Sequence, residues 1–291
     1  MIRVGIAGWS YADWKGRVYP QPQPRGFVPL LAIARLVQCM ELNSSFYAYP
    51  TRQNCELWSR QLEGRDFPFI VKLHQDFTHQ RDAEQLETRA RAFLDALEPL
   101  REEGRLRALL VQFPVSFSRT PDHRRWLAQL VELFGSERLV LELRHRSWFE
   151  PDVLKRFRES GLSLAALDLP QARDHPPEEF PPTGPVGYLR LHGRNSAHWF
   201  RASSTRDQRY DYLYTPQELD RVSERAQNLE RETGETYVVT NNHFEGQAVA
   251  NAIELQHRLG EERPCAPETL LAAYPRLREV ADSDEPPGLF S

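Results

Sequence analysis

Residues 138–148 read RLVLELRHRSW, and the fold turns on how that stretch is read. Leu139, Val140 and Leu141 form a compact apolar run suited to a buried strand. Glu142, Arg144 and His145 follow at its C-terminal end. Successive strand residues point to opposite faces, so Glu142 and Arg144 share a face, while His145 leaves on the other or turns with the loop. Charged side chains seldom stay buried unless they are paired or working. Taken alone, the pair reads equally well as a structural salt bridge or as part of a site; what matters is that the design recurs.

Working outward, residues 3–8 (RVGIAG) read as a first strand. Residues 36–43 (LVQCMELN) end in Glu41 and Asn43, and residues 67–73 (FPFIVKL) end in Lys72, with His74 two positions on. Residues 107–113 (RALLVQF) end near Gln112, 162–168 (LSLAALD) at Asp168, 186–192 (VGYLRLH) at Arg190 and His192, and 235–241 at Asn241. Helical patterns fall between them over 27–36, 51–62, 83–103, 121–134, 151–160, from Thr215 to Gly234, and over 245–259. Thr215-Pro216-Gln217-Glu218 combines an N-cap Thr, Pro at N1 and Glu at N3. The alternation falters at 169–185, where Pro170, Pro176, Pro177, Pro181, Pro182 and Pro185 leave room for a loop and no ordinary helix.

Eight strands alternating with about seven helices predict an α/β fold with a parallel sheet. The count and size are those of a (β/α)8 TIM barrel in which a Pro-rich loop replaces or shortens the helix after strand six. Residues 1–260 make the single barrel domain. Residues 261–291 are a C-terminal extension that packs on the barrel or is partly disordered, with one short helix near 270–281. A doubly wound open sheet is the rival, yet Gly5, Gly8 and Gly16 do not make a G-x-G-x-x-G loop. In a barrel the polar strand ends converge on one mouth, where active sites are built.

The formal net charge of −4 gives no general basic footprint for nucleic acid. The cations are almost all Arg; the lysines are Lys15, Lys72 and Lys155, which makes a Lys inside a strand notable. Cys39, Cys55 and Cys265 form no CxxC pair, as expected of a reducing cytoplasm. The opening run passes straight into a strand, so no secretory leader is expected, and no apolar segment reaches the ~20 residues of a membrane helix.

GWSYADWKGRVYP, ELNSSFYAYP, VQFP, LELRHRSW, YLRLHGR and the late Asn241-Asn242 together resemble the YecE-like family, domain of unknown function 72. The likeness runs from Gly5 to about Leu259. It implies a TIM barrel and an enzyme, with no settled reaction. The family's motif positions fall on Glu41, Asn43, Phe46, Tyr47, Lys72, Glu142, Arg144, His145, Trp148, Asp168, Arg190, His192, Gly193 and Asn241-Asn242. Thr240 stands where the family usually has Phe, a change expected to retune the pocket wall.

The chemistry is argued from the residues. Arg190, Arg194 and Arg144 suit a small phosphorylated or carboxylated substrate, because guanidinium matches either anion bidentately. Glu41, Asn43, Tyr47, His74, Tyr212 and Asn241 are the other expected binding residues. Alternatively the arginines neutralise the acids. Lys72 is an ion-pair partner, a charge clamp or an imine-forming nucleophile. His192 with Asp168, together with Glu142, suits acid–base work. No cofactor is predicted; the alternative is a divalent metal on Glu41, Glu142, Asp168 and His192, for which nearby Arg and Lys would compete. Trp9, Trp14, Phe46, Tyr47, Trp148, Trp199, Tyr210 and Tyr212 either plug the barrel top or wall a ligand site. Residues 199–214 form a candidate lid, and Arg201, Arg206 and Arg209 on it give the chain a second reading as a nucleic-acid binder.

Overall fold

The structure, a computed structural model, describes residues 1–284; the rest of the expected C-terminal extension, 285–291, lies outside the described residues. Nine strands make one parallel sheet: β1 (Ile2–Ala7), β2 (Cys39–Leu42), β3 (Phe69–Lys72), β4 (Leu106–Gln112), β5 (Leu139–Glu142), β6 (Ser163–Leu164), β7 (Ala166–Asp168), β8 (Val186–Leu191) and β9 (Glu235–Thr240). Their order is β6-β5-β4-β3-β2-β1-β9-β8-β7. β6 and β7 are two halves of the segment expected as a single sixth strand. The first half pairs with β5 and the second with β8. That division of pairing at Ala165 brings the two sheet edges together, and the sheet is a TIM-like barrel.

Strand alternation separates two packed layers. Cys39, Ile70, Ala108, Leu110, Val140, Tyr188, Tyr237 and Val239 fill the lumen. Their sequence neighbours Met40, Val71, Leu109, Leu141, Leu189 and Val238 belong to the larger core beneath the helices. Gly5 permits the close contact of β1 with β2, since a Cβ there would lie 2.3 Å from the Cys39 carbonyl oxygen.

The helices are α1 (Pro29–Ile33), α2 (Arg52–Gln61), α3 (Leu86–Glu102), α4 (Pro121–Phe134), α5 (Pro151–Glu159), α6 (Ser196–Trp199), α7 (Arg206–Tyr210), α8 (Pro216–Thr233), α9 (Gln247–Arg258) and α10 (Glu268–Ala273). Thr51 and Thr120 accept hydrogen bonds from the Asn54 and His123 amides, and Thr215 with Glu218 closes a full capping box on α8. Residues 169–185 carry no helix, as their prolines require. α1 is shorter than the expected 27–36, and the candidate lid 199–214 begins at the last residue of the short helix α6 and contains the short helix α7. No helix among the described residues is long and apolar enough to cross a membrane. Through residue 284 the extension lies on the barrel: Tyr274 O–H donates to the Glu245 carbonyl at 2.9 Å, and Arg276 pairs with Glu254 on α9 at 2.7 Å.

Above the apolar lumen lies a charged layer. The Arg190 guanidinium donates through Nε to Glu41 Oε2 at 2.8 Å and through Nη1 to Glu142 Oε2 at 2.7 Å, and Nη2 reaches Glu41 Oε1. Tyr188 O–H donates to Glu41 Oε2 at 2.6 Å, and Arg144 Nε donates to Glu142 Oε1 at 2.7 Å. Glu41 and Glu142 are fully buried and Arg190 nearly so. Burial alone would discourage ionisation of Glu142, but Arg190 and Arg144 outweigh it and hold the carboxyl well below the usual range.

Removing Arg190 leaves two buried carboxylates with their main counter-charge gone. Arg190→Met should cost about 3–5 kcal/mol in urea unfolding; a loss under about 1 kcal/mol would mean the cluster is not structural. Because the folded pKa of Glu142 is depressed, its contribution is complete above the unfolded value of 4.5 and is lost as pH falls through the depressed value. Unfolding midpoints followed into acid should therefore fall less steeply in Glu142→Gln than in the parent chain.

Candidate functional site

The C-terminal ends of the strands surround an open cavity of about 850 Å³. Six of the expected catalytic and substrate-binding residues line it, namely Asn43, Tyr47, Lys72, Arg144, Arg190 and Asn241, together with the expected wall and lid residues Trp9, Phe46, Trp199, Arg206, Arg209 and Tyr210. The loop after β1 adds Trp9 and Tyr11, and the loop after β2 adds Phe46. The segment after β8 adds Trp199, Arg206, Arg209 and Tyr210. His79, His175 and His243 also line it, and among the described residues no Asp or Glu does.

Lys72 ends β3 and projects from the lumen face into this cavity. It is 9% exposed. Among the described residues its ammonium group has no hydrogen bond or ion pair; Nζ lies 3.9 Å from the centre of the Phe46 ring. The acids that would pair with it, Glu41 and Glu142, are already held by Arg190 and Arg144. Burial, followed by the Arg190 charge, pulls the amine down to about 7, against partial opposition from Glu142 and Glu41.

His79 sits on the turn that follows β3, with its ring edge-on to Phe46 at 4.8 Å and its Nδ1 2.9 Å from the Thr78 hydroxyl. Burial and then the Lys72 charge lower its pKa to about 4, so it is neutral at physiological pH. His243 stacks on Tyr11 at 4.4 Å and is likewise lowered to about 4, by burial and then by Arg206. The Arg206 guanidinium lies over the Tyr11 ring, 5.9 Å from its centre. The Asn43 side-chain oxygen is buried there without a hydrogen-bond partner.

Several anticipated residues lie elsewhere. Asp168 does not face the mouth: in the segment 165–169 the odd positions Ala165, Leu167 and Leu169 face the lumen, which turns Ala166 and Asp168 outward. There Asp168 accepts bonds from Arg194 at 2.6 and 2.9 Å, from Tyr214 O–H at 2.7 Å and from Arg225 of α8 at 3.4 Å. Arg194 is thus engaged away from the cavity. Tyr212 donates to Glu218 at 2.7 Å and is also off the site. His74 is carried out of strand geometry by the turn at Asp76–Gln80; it packs on Tyr49 and faces Asp76 at 3.2 Å.

His192 does point inward but is sealed. Its ring has no exposure, its Nδ1 faces the Asn241 amide at 3.1 Å and its Nε2 lies 3.6 Å from Glu142. Trp199 and Tyr210 cover it, at 5.8 and 6.2 Å between ring centres. Burial holds its pKa at about 3, despite the Glu142 hydrogen bond. The expected His192–Asp168 acid–base pair is therefore not formed by the side chains. Glu41, Glu142, Asp168 and His192 likewise make no free donor set, and no metal-binding group of three or more occurs among the described residues. Thr240 does not form the cavity wall, because its outward-facing hydroxyl lies 2.9 Å from the Ala248 carbonyl oxygen of α9 and 3.2 Å from that of Gly5. His243 directly follows the paired asparagines and was findable from that position. His79 lies in a turn with no periodic signal to mark it.

Comparison with known proteins agrees with this architecture. The chain is 30% identical over 275 residues to UPF0759 protein YunF of Bacillus subtilis, which covers 90% of this chain and 96% of that protein. UPF0759 protein YecE of Escherichia coli K12 is 27% identical over 173 residues, 58% of this chain and 59% of YecE. Among solved structures, a DUF72 family protein of Thermotoga maritima superposes with a TM-score of 0.78 at 34% identity, covering 90% of this chain and all of the other. One from Enterococcus faecalis does so at 0.79 and 28%, covering 90% and 96%. The model described as protein of unknown function DUF72 matches residues 3–274, and with nearly the whole barrel inside that match the chain belongs to the DUF72 family.

Proposed function

We propose that the barrel mouth is the active site of an enzyme for a small anionic substrate, phosphorylated or carboxylated. The observation that carries this reading is the charge of the cavity lining: among the described residues Lys72, Arg144, Arg190, Arg206 and Arg209 are present and no carboxylate is. Arg190 and Arg144 are partly neutralised by the buried acids beneath them, whereas Arg206 has only an exposed pairing with Asp207 at 3.3 Å, so Arg206 and Arg209 on α7 are the cations best suited to the anion itself. Trp9, Tyr11, Trp199 and Tyr210 supply ring faces for the remainder of the ligand.

Lys72 is the group suited to reaction. An amine with a pKa near 7 is uncharged in a large share of molecules at neutral pH, and so accepts a proton or attacks an electrophile. Neutral His79 beside it is a second acceptor. The anticipated roles of Asp168 and His192 in proton transfer are replaced by these two residues. The chain's net charge of −4 supports a small ligand over a nucleic acid.

Calorimetric titration with inorganic phosphate, citrate and a sugar phosphate should give saturable binding to at least one. The Arg206→Ala/Arg209→Ala double variant should weaken it tenfold or more. Silence from all three ligands would overturn the reading. Asp168→Asn provides the contrast: it should lower the melting temperature by several degrees while leaving the same affinity within about twofold, because Asp168 joins α8 to the barrel outside the cavity.

A further inference from the structure

The geometry points to Lys72 as a covalent catalyst that forms an imine with a carbonyl group of the substrate, which makes the substrate an anionic aldehyde or ketone. This inference rests on the anion-site reading above and narrows it to a substrate class.

Three observations meet at this residue. Nζ opens into the cavity from the end of β3 and has no ion pair or hydrogen bond among the described residues. Among the described residues its surroundings hold no available carboxylate, because Arg190 grips Glu41 and Glu142 and Arg144 covers the remaining oxygen of Glu142. The contact it does make is with the Phe46 ring, which leaves the nitrogen lone pair unblocked by any donor. A lysine serving as an ion-pair partner would sit against one of those acids. One serving as an anchor would donate to backbone carbonyls, as Arg105 does to Leu62 and Arg65. Lys72 does neither, and the depressed amine pKa is in keeping with a nucleophile.

The step balances without an external reagent. The Lys72 nitrogen lone pair forms a C–N bond to the carbonyl carbon, and the C=O π pair moves to oxygen, which takes up the proton that the nitrogen releases. The carbinolamine then loses its hydroxyl as water, with one proton supplied from solvent in the open mouth, and leaves a protonated imine. That imine takes up the electron pair of the neighbouring C–H bond as its proton passes to neutral His79; return of a proton to the carbon and hydrolysis by water then restore the amine and the carbonyl. Arg206 and Arg209 would hold the anionic end away from Lys72, while the aromatic wall flanks the carbon skeleton.

Pyridoxal 5′-phosphate is a suitable probe, since it joins an aldehyde, a phosphate and a flat ring. The native protein is treated at neutral pH with this probe and cyanoborohydride, and the adducts are mapped by mass spectrometry. The chain has only Lys15, Lys72 and Lys155 to compare. Lys72 should be labelled at least tenfold faster than the other two, and phosphate in excess should protect it. Labelling of Lys72 no faster than Lys15 and Lys155 overturns the inference. Pyridoxine 5′-phosphate, which has no aldehyde, separates the two claims by calorimetry. If it binds while the aldehyde fails to label Lys72, the imine falls and the anion site stands; if it does not bind and no label appears, both fall.

Discussion

One guanidinium sets the character of the barrel mouth. Arg190 spans the lumen from β8, joins Glu41 on β2 to Glu142 on β5, and so ties staves that are remote in sequence. Its planar fork satisfies both oxygens of Glu41 and one of Glu142, with Tyr188 and Arg144 completing the set. A buried cluster of this kind is tolerable only when every member is partnered. The cost of desolvating three charged groups is offset by their mutual attraction. The outcome is a rigid floor whose carboxylates are unavailable to anything above it.

That unavailability sets the electrostatics of the cavity. Lys72 sits near two glutamates without a bond to either, in a field to which Arg190 and Arg144 contribute positive charge. The cavity above inherits a cationic lining softened by aromatic faces. A second set, Asp168 with Arg194, Arg225 and Tyr214, does the same kind of structural work outside the lumen, where it fastens α8 and the segment after β8. Two ion clusters that look alike in sequence thus differ in consequence: one floors the cavity, the other braces its wall.

Most of the fold was legible because parallel barrel strands are nearly continuous apolar runs and because Pro and Gly mark their ends. The Pro-rich 169–185 connection and the capping box at Thr215 were readable for the same local reasons. The site was legible where strand phase continued undisturbed, as for Lys72, Arg144 and Arg190. It was misread where phase shifted. The division of the sixth stave into β6 and β7 put Asp168 on the outer face, and the turn after Lys72 removed His74 from the mouth. Partner choice is a further quantity that sequence does not carry: nothing in the order of residues says that Arg194 would be claimed by Asp168, or that Trp199 and Tyr210 would close over His192.

The account therefore stands on an amine left unpaired by the saturation of its acidic neighbours. Carbon-13 NMR of lysine-labelled protein reads this directly, since three side chains give three resonances to follow with pH. One should titrate with a midpoint of about 7 and vanish in Lys72→Met, while the other two keep the ordinary lysine value of roughly 10.4. Three midpoints all near the ordinary value would contradict the account.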